Sequence, residues 1–420
     1  MNDVLIVGAG IGGLTTALYL HRLGIPCRVI EAVPEIRPLG VGINLLPHAM
    51  KELGDLGLQP ALEAIAVETQ EMRFYNRHGQ FAFREARGRF AGYDAPQLSI
   101  HRGDLQMILF RTVQERLGAD RIHLGRRLLK AEQDDTGVTL HLADTVTGES
   151  VPPLRGDILI GCDGIQSVLR KQLYPAEGDP VYSGINMWRG VTWAKPYLTG
   201  ASMVLAGWLE VGKLVIYPIR KALDAQGRQL INWVAEIESD KYEKNDWNQK
   251  GRLEDFFPVF RDWRFDWLDM AGLLENAEII LEYPMVDRDP LPRWSFGRMT
   301  LLGDAAHPMY PRGSNGAGQA ILDARALAGH LKAAGAGDPV PALRAYDAER
   351  NPATAKVVLT NRQNPPDAIL REVHQRTGGR PFERIEDVIS QDEMVAMSEG
   401  YKKTAGFDRG SLAQKTPLAS

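Results

Sequence analysis

The sequence predicts an α/β protein: a Rossmann-like dinucleotide-binding domain, an antiparallel β-sheet domain beside it, and C-terminal helices. Three observations carry that expectation. A Gly8-x-Gly10-x-x-Gly13 turn joins a strand to a helix, an apolar strand ends at Asp163-Gly164, and a third ends at Gly303-Asp304 before another glycine-rich turn. Ligands of open α/β sheets sit outside the carboxyl ends of the strands, so three such ends describe one long crevice.

The elements follow in chain order. Val4 to Val7 is a short β-branched run, and Leu14, Ala17, Leu18 and Leu20 supply apolar positions near a 3.6-residue period after the turn. Gly8 permits the tight turn, Gly10 lets the backbone approach a pyrophosphate, and Gly13 lets the helix pack on the strand. Ile11 and Gly12 complete that cradle, whose helix N-terminus favours phosphate charge. A second strand, Cys27 to Ile30, delivers Glu31, an acceptor for ribose hydroxyls that argues against a 2′-phosphate, so FAD or NAD fits better than NADP.

Asp157 to Gly161 reads as a buried strand, followed by Asp163, Gly164 and a helix over 165–170. Met299 to Leu302 is another, after which Gly313 to Gly318 opens a helical run through Ile321, Leu322, Ala324, Leu327 and Leu331. Asp304 can accept from a ribityl or ribose hydroxyl, and the amides of Gly316, Ala317 and Gly318 can stabilise an anionic ring edge such as a reduced flavin presents. Strand-like runs at 203–205, 213–217 and 230–234 suggest an antiparallel sheet. Beyond Arg362 the composition turns polar, predicting one or two helices and a loose tail from about Tyr401.

With 420 residues, 44% of them hydrophobic, the chain can bury a large core in two or more domains. A net charge of −4 gives no reason to expect nucleic acid, and no apolar stretch reaches the roughly 20 residues of a membrane-spanning helix. Two cysteines beside apolar runs and an opening segment unlike a signal peptide point to the cytoplasm. Scattered histidines offer no metal-ligand spacing, so no metal is expected.

GAGIGG with Glu31, GCDG and GDAAHP, in that order, resemble the single-component class A flavoprotein aromatic hydroxylases of the para-hydroxybenzoate hydroxylase type. The resemblance extends to HRGDLQMIL, whose Arg102 matches an FAD-contacting arginine. The segments RPLGVGIN, MWRGVT, DWNQKGRLED and YPMVDRDPLP resemble members that hydroxylate phenazine carboxylates. It implies FAD-binding segments at about 1–72, 100–174 and 285–362, substrate-domain segments at 73–99 and 175–284, and C-terminal helices and tail over 363–420. Residues 37–43, including Gly42, would form a mobile loop near the isoalloxazine ring. Pro311 and Gly313 would be backbone elements at the reactive flavin edge, and His307 a structural residue of the flavin loop. The implied chemistry is reduction of FAD by NADH or NADPH, O2 addition to give a flavin C4a-hydroperoxide, and oxygen transfer to an electron-rich ring. NAD(P)H would bind transiently, because the chain has one dinucleotide fingerprint.

Trp188, Trp193, Trp208, Tyr217, Trp233 and Tyr283 are large aromatics on the predicted sheet, suited either to stacking on a planar small-molecule substrate or to core packing. Arg189 and Arg220 could neutralise a carboxylate, and no acid–base pair for deprotonating a phenol stands out. Two alternatives stay open: another FAD enzyme on the same scaffold, such as an oxidase or a halogenase, and a non-catalytic dinucleotide sensor. The W-x-W-x-I-P signature of halogenases is absent. A monomer and a homodimer are both compatible with the chain.

Overall fold

Val4–Val7 lies inside a sheet whose strand order is 295–296, 299–301, 158–161, 4–7, 27–30 and 122–123. All pairings are parallel except the 295–296 edge. The computed structural model describes residues 3–240 and 250–413, so the DWNQ portion of the segment at 246–255 lies outside the described residues, as do 414–420. Buried on both faces, the central strands are continuous apolar runs, as parallel sheets require. The helices Ile11–Arg22 and Gly316–Ala334 pack together along the sheet, with Leu14, Leu18, Ile321, Leu327 and Leu331 almost fully buried. No helix among the described residues is long and apolar enough to cross a membrane.

The second layer is a seven-stranded sheet, ordered 279–287, 181–194, 229–238, 213–218, 202–207, 71–75 and 81–86. It is not wholly antiparallel, which corrects the sequence expectation: Ser202–Ala206 runs parallel to Glu71–Tyr75, two strands far apart in the chain. One face, with Trp188, Trp233, Val204, Leu214 and Ile216, packs under the helices Leu253–Phe260 and Met270–Glu275. The other face, with Met187, Met203, Leu205, Tyr217 and Val234, turns toward the flavin-type crevice and the C-terminal helices.

Those helices are Ala368–Thr377, Gln391–Ala405 and Arg409–Ala413. The chain is not loose from Tyr401, as the polar composition suggests. Tyr401 is buried in the middle of this region, and a small cluster of Leu46, Val357, Tyr401, Ala405 and Phe407 fixes it. Charge does the rest. Lys402 pairs with Glu85, which also accepts from Ser398 Oγ at 2.8 Å, and Lys213 pairs with Asp367 at the start of the first C-terminal helix.

Burial alone would raise the carboxyls of Glu85 and Asp367, but Arg87 and Lys402 hold the first below its ordinary value, and Lys213 and Arg312 hold the second below its own. A depressed folded pKa contributes stability that is present above the ordinary carboxylate range and lost as pH falls through the depressed value. Hydrogen exchange, corrected for its intrinsic rate, should therefore show the helix Gln391–Ala405 steadily protected above about pH 5 and released below about pH 4. In Glu85→Gln the release should already be present at neutral pH. Equal protection in wild type and Glu85→Gln throughout would contradict this attachment.

Candidate active site

Three strand ends, at Val7, Gly161 and Leu301, meet at one edge of the parallel sheet, and glycine is what lets the turns close there. Gly8 has φ +107°, and a Cβ on it would stand 2.3 Å from the Cys162 carbonyl oxygen. A Cβ on Gly13 would stand 1.9 Å from the Gly8 oxygen, so Gly13 serves helix–strand contact and does not face the crevice. Gly10 by contrast faces open space, at the N-terminus of Ile11–Arg22, where backbone amides and the helix dipole can receive a pyrophosphate.

One end of the crevice is lined by Gly8, Gly10, Glu31, Arg102, Gln106 and Asp163. The Glu31 carboxylate accepts from the backbone N–H of Ala9 at 2.6 Å and of Val33 at 2.9 Å, which fixes it with lone pairs to spare for ribose hydroxyls. Asp163 is more of a structural residue than the sequence suggests. One of its oxygens accepts from the Val168 and Leu169 N–H groups, capping the helix Val168–Leu173, and the other is buried without a partner.

The middle of the crevice is bounded by Ile11, Gly12, Gly42, Gly164, Asp304 and the Gly316–Ala317 start of a 19-residue helix. Asp304 opens into this space and accepts no hydrogen bond from the described residues. Desolvation raises its carboxyl above the ordinary value, although His307 and Arg102 pull the other way. Such a group gains by accepting hydroxyl donors from a ligand. Gly318 does not line the crevice: a Cβ there would stand 2.7 Å from the His48 ring nitrogen, so its smallness serves packing. His307 is buried, hydrogen-bonded to Asp323 and tilted against Trp294; Asp323 in turn binds Arg350 at 2.7 Å. His307 ties the turn after Gly303 to the helix that carries Asp323.

A second cavity adjoins this crevice through shared walls: Asn44, Arg189, Tyr217, Pro311 and Ser314 line both. Its walls enclose about 850 Å³ of space, part of it open solvent at the mouth. The loop between them is unusual backbone. Gly313 has φ +74° and Ser314 φ +57°, and a Cβ on Gly313 would stand 2.0 Å from the Tyr401 hydroxyl. That hydroxyl accepts from Asn315 Nδ2 at 2.9 Å and donates to Asn361 Oδ1 at 2.7 Å, so the C-terminal helix clamps the loop carrying Pro311 and Gly313.

Alternation along the strands decides which sheet residues reach the cavity. Met187, Arg189, Lys213, Tyr217, Val234 and Glu236 do. Trp188 and Trp233 have the opposite parity and are sealed against Phe256, so they are core residues and not substrate contacts. Trp193 packs against the cavity-facing cluster but lies away from the cavity. Trp208 sits past its strand's end, beside Leu370 and Val373, and Tyr283 packs in the adjoining cluster. Arg220 is drawn off by Asp104 at 3.0 Å and does not reach the cavity. Arg189 does reach it, while donating to the Gly42 carbonyl at 2.9 Å; Gly42 N–H donates to Asn232 Oδ1 at 2.7 Å. The sequence reading missed Arg87, Lys213, Arg312, Tyr401 and Lys402, all on the cavity wall. A lysine inside the apolar run Lys213–Pro218 was the available signal.

The open Gly10 turn, the Glu31 and Asp304 acceptors and the helix N-terminus at Gly316 fit FAD along the crevice. The FAD binding domain family matches residues 1–248 and 285–361, and the chain belongs to it. It is 46% identical over 365 residues to phenazine 1,6-dicarboxylic acid hydroxylase of Lysobacter antibioticus, covering 86% of this chain and 89% of that protein. It is 31% identical to 6-hydroxynicotinate 3-monooxygenase of Pseudomonas fluorescens, covering 86% and 90%. The fold is that of a single-residue variant of HpxO from Klebsiella pneumoniae in complex with FAD, at TM-score 0.76 and 24% identity over 96% of this chain and 98% of that one. These relatives place the protein among the flavin-dependent aromatic hydroxylases, as the motifs imply.

Gly316 has only Asp304 Oδ1 and Met309 near a built Cβ, both at 3.9 Å, so Gly316→Val should leave the fold intact while its branches fill the flavin space. The variant should purify colourless with a wild-type circular dichroism spectrum. Glu31→Ala and Asp304→Ala should each weaken FAD by about 10-fold or more, in line with hydrogen bonds to charged groups. Full FAD occupancy with unchanged affinity in both would overturn the assignment.

Proposed function

We propose that the protein uses NADH or NADPH and O2 to hydroxylate a planar, carboxylated heteroaromatic acid. The balance is one ring C–H, one O2, one NAD(P)H and one proton giving ring C–OH, water and NAD(P)+. The observation that carries this reading is the cavity sharing five wall residues with the flavin crevice, its wall combining an apolar stretch with five cationic side chains. Bound FAD supplies the two-electron reduction and oxygen activation.

The chain's own residues supply the surroundings. Met187, Met203, Leu205, Val215 and Val234 form an apolar wall that excludes water and flanks a flat ring, with flexible methionines adapting to its outline. Tyr217 closes the boundary between the two spaces, and burial raises its phenol above the ordinary value, so it stays protonated and can donate. Glu236 and Asp367 are both committed to Lys213, which leaves no free carboxylate base on the wall among the described residues. An electron-rich heteroaromatic ring needs none.

NAD(P)H has no second parallel nucleotide sheet among the described residues, so its visit to the flavin is brief. The segment around Leu39, 69% exposed, shares the wall of the Glu31 end of the crevice, and Gly42 beyond it is held by Arg189 and Asn232. A substrate that contacts Arg189 shifts the flavin toward nicotinamide only by binding two flavin positions unequally. Stopped-flow reduction by NADH and NADPH should accelerate at least about 10-fold with pyridine, quinoline or phenazine carboxylic acids, which corresponds to about 1.4 kcal/mol of differential binding. Equal rates with and without every acid would reject this gating, and hydroxylation of non-aromatic compounds alone would reject the substrate class.

A further inference from the structure

We propose that Arg312 is the receptor for the substrate carboxylate and the residue that sets specificity for acids; this rests on an aromatic ring occupying the cavity described above. Five cationic side chains line that cavity, Arg87, Arg189, Lys213, Arg312 and Lys402, against two carboxylates, Glu236 and Asp367. Three of the five are paired with carboxylates, and Arg189, with no carboxylate partner and its Nε buried and unpartnered, is held by a backbone carbonyl. Arg87 pairs with Glu85 at 2.9 Å, Lys402 with Glu85 and with Glu399 at 2.7 Å, Lys213 with Glu236 at 2.9 Å and with Asp367, and Arg189 donates to the Gly42 carbonyl.

Arg312 is the surplus. It is 9% exposed, yet among the described residues its guanidinium makes no ion pair and donates no hydrogen bond, and its Nε is buried without a partner. Asp367 biases the local field but is spent on Lys213. Burying an unpaired guanidinium is strongly unfavourable, so its persistence marks a place where a ligand completes the pairing. Its planar fork matches a carboxylate with two parallel hydrogen bonds.

Position supports the assignment. Arg312 stands between Pro311 and Gly313, yet its side chain lines the substrate cavity and not the flavin crevice. The Tyr401 clamp and the left-handed turn at Gly313 and Ser314 fix its backbone. A carboxylate held there leaves the rest of the ring beside the shared wall at Pro311 and Tyr217, next to the flavin. Of the two arginines the sequence offers for this task, Arg220 is neutralised by Asp104 outside the cavity, and Arg189 lies on the wall but is turned to the Gly42 carbonyl.

The test uses FAD-loaded enzyme and two probes: phenazine 1,6-dicarboxylic acid, named for a relative's activity, and its uncharged diamide. Flavin absorbance titration should show Arg312→Gln weakening the acid by about 30-fold or more while the diamide changes by less than about 3-fold. Arg312→Lys should recover part of the loss, since it keeps the charge but not the fork. The thermal midpoint of the substrate-free holoenzyme should stay level or rise in Arg312→Gln, because a merely structural arginine would lower it on removal. Equal weakening of acid and diamide, unchanged acid affinity, or a lowered midpoint with flavin loss would overturn the proposal. If wild type hydroxylates the diamide as well as the acid, the receptor assignment falls and the hydroxylase reading stands. If it binds and hydroxylates neither, the substrate class proposed above falls with it.

Discussion

The parallel pairing of 4–7 with 158–161, and of 158–161 with 299–301, is the constraint from which the rest follows. Because the three strands run the same way, Gly8, Cys162 and Leu302 emerge at one edge, and side chains from distant parts of the chain meet a single extended ligand. The turns there pass so close that a single added Cβ at Gly8 or Gly13 would collide with backbone oxygen. The same closeness that forbids side chains leaves amides facing the crevice, so packing and phosphate recognition share one cause.

The second sheet closes the other side, and its chemistry is set by alternation. One face is a dry aromatic core in which Trp233, fully buried, donates its indole N–H to Thr192 at 3.1 Å. The opposite face carries an ionic centre under the C-terminal helices. Burial alone would lower the Lys213 ammonium, but Asp367 and Glu236 reverse that and raise it. Buried pairs of this kind add little net stability over apolar packing, while breaking one is costly. They therefore specify where the last helices dock and, through Tyr401, the shape of the loop carrying Pro311 and Gly313.

Local signals were legible in the sequence because they are local. The glycine spacing, Glu31 at the end of its strand and the Gly303-Asp304 strand end each need only a few neighbouring residues. Strand parity was also available: Trp188 and Arg189 are adjacent, so one face could not hold both, and the same holds for Trp233 and Val234. What sequence could not supply were contacts made across long separations. The Tyr401 hydroxyl reaches Asn315 across 86 residues and Arg220 reaches Asp104 across 116, and neither pairing leaves a periodic trace. The chain from Tyr401 reads as a loose tail because much of what holds it is polar and tertiary.

In the proposed reaction, oxygen reaches the ring of an acid seated beside the flavin. Turnover of phenazine 1,6-dicarboxylic acid with NAD(P)H under 18O-labelled O2, followed by mass spectrometry of the product, tests that most directly. One labelled atom per product, formed in step with one NAD(P)H consumed, is the predicted result. Hydrogen peroxide released in step with NAD(P)H, with no label in any aromatic product, would contradict it and mark the protein as an oxidase on the same scaffold.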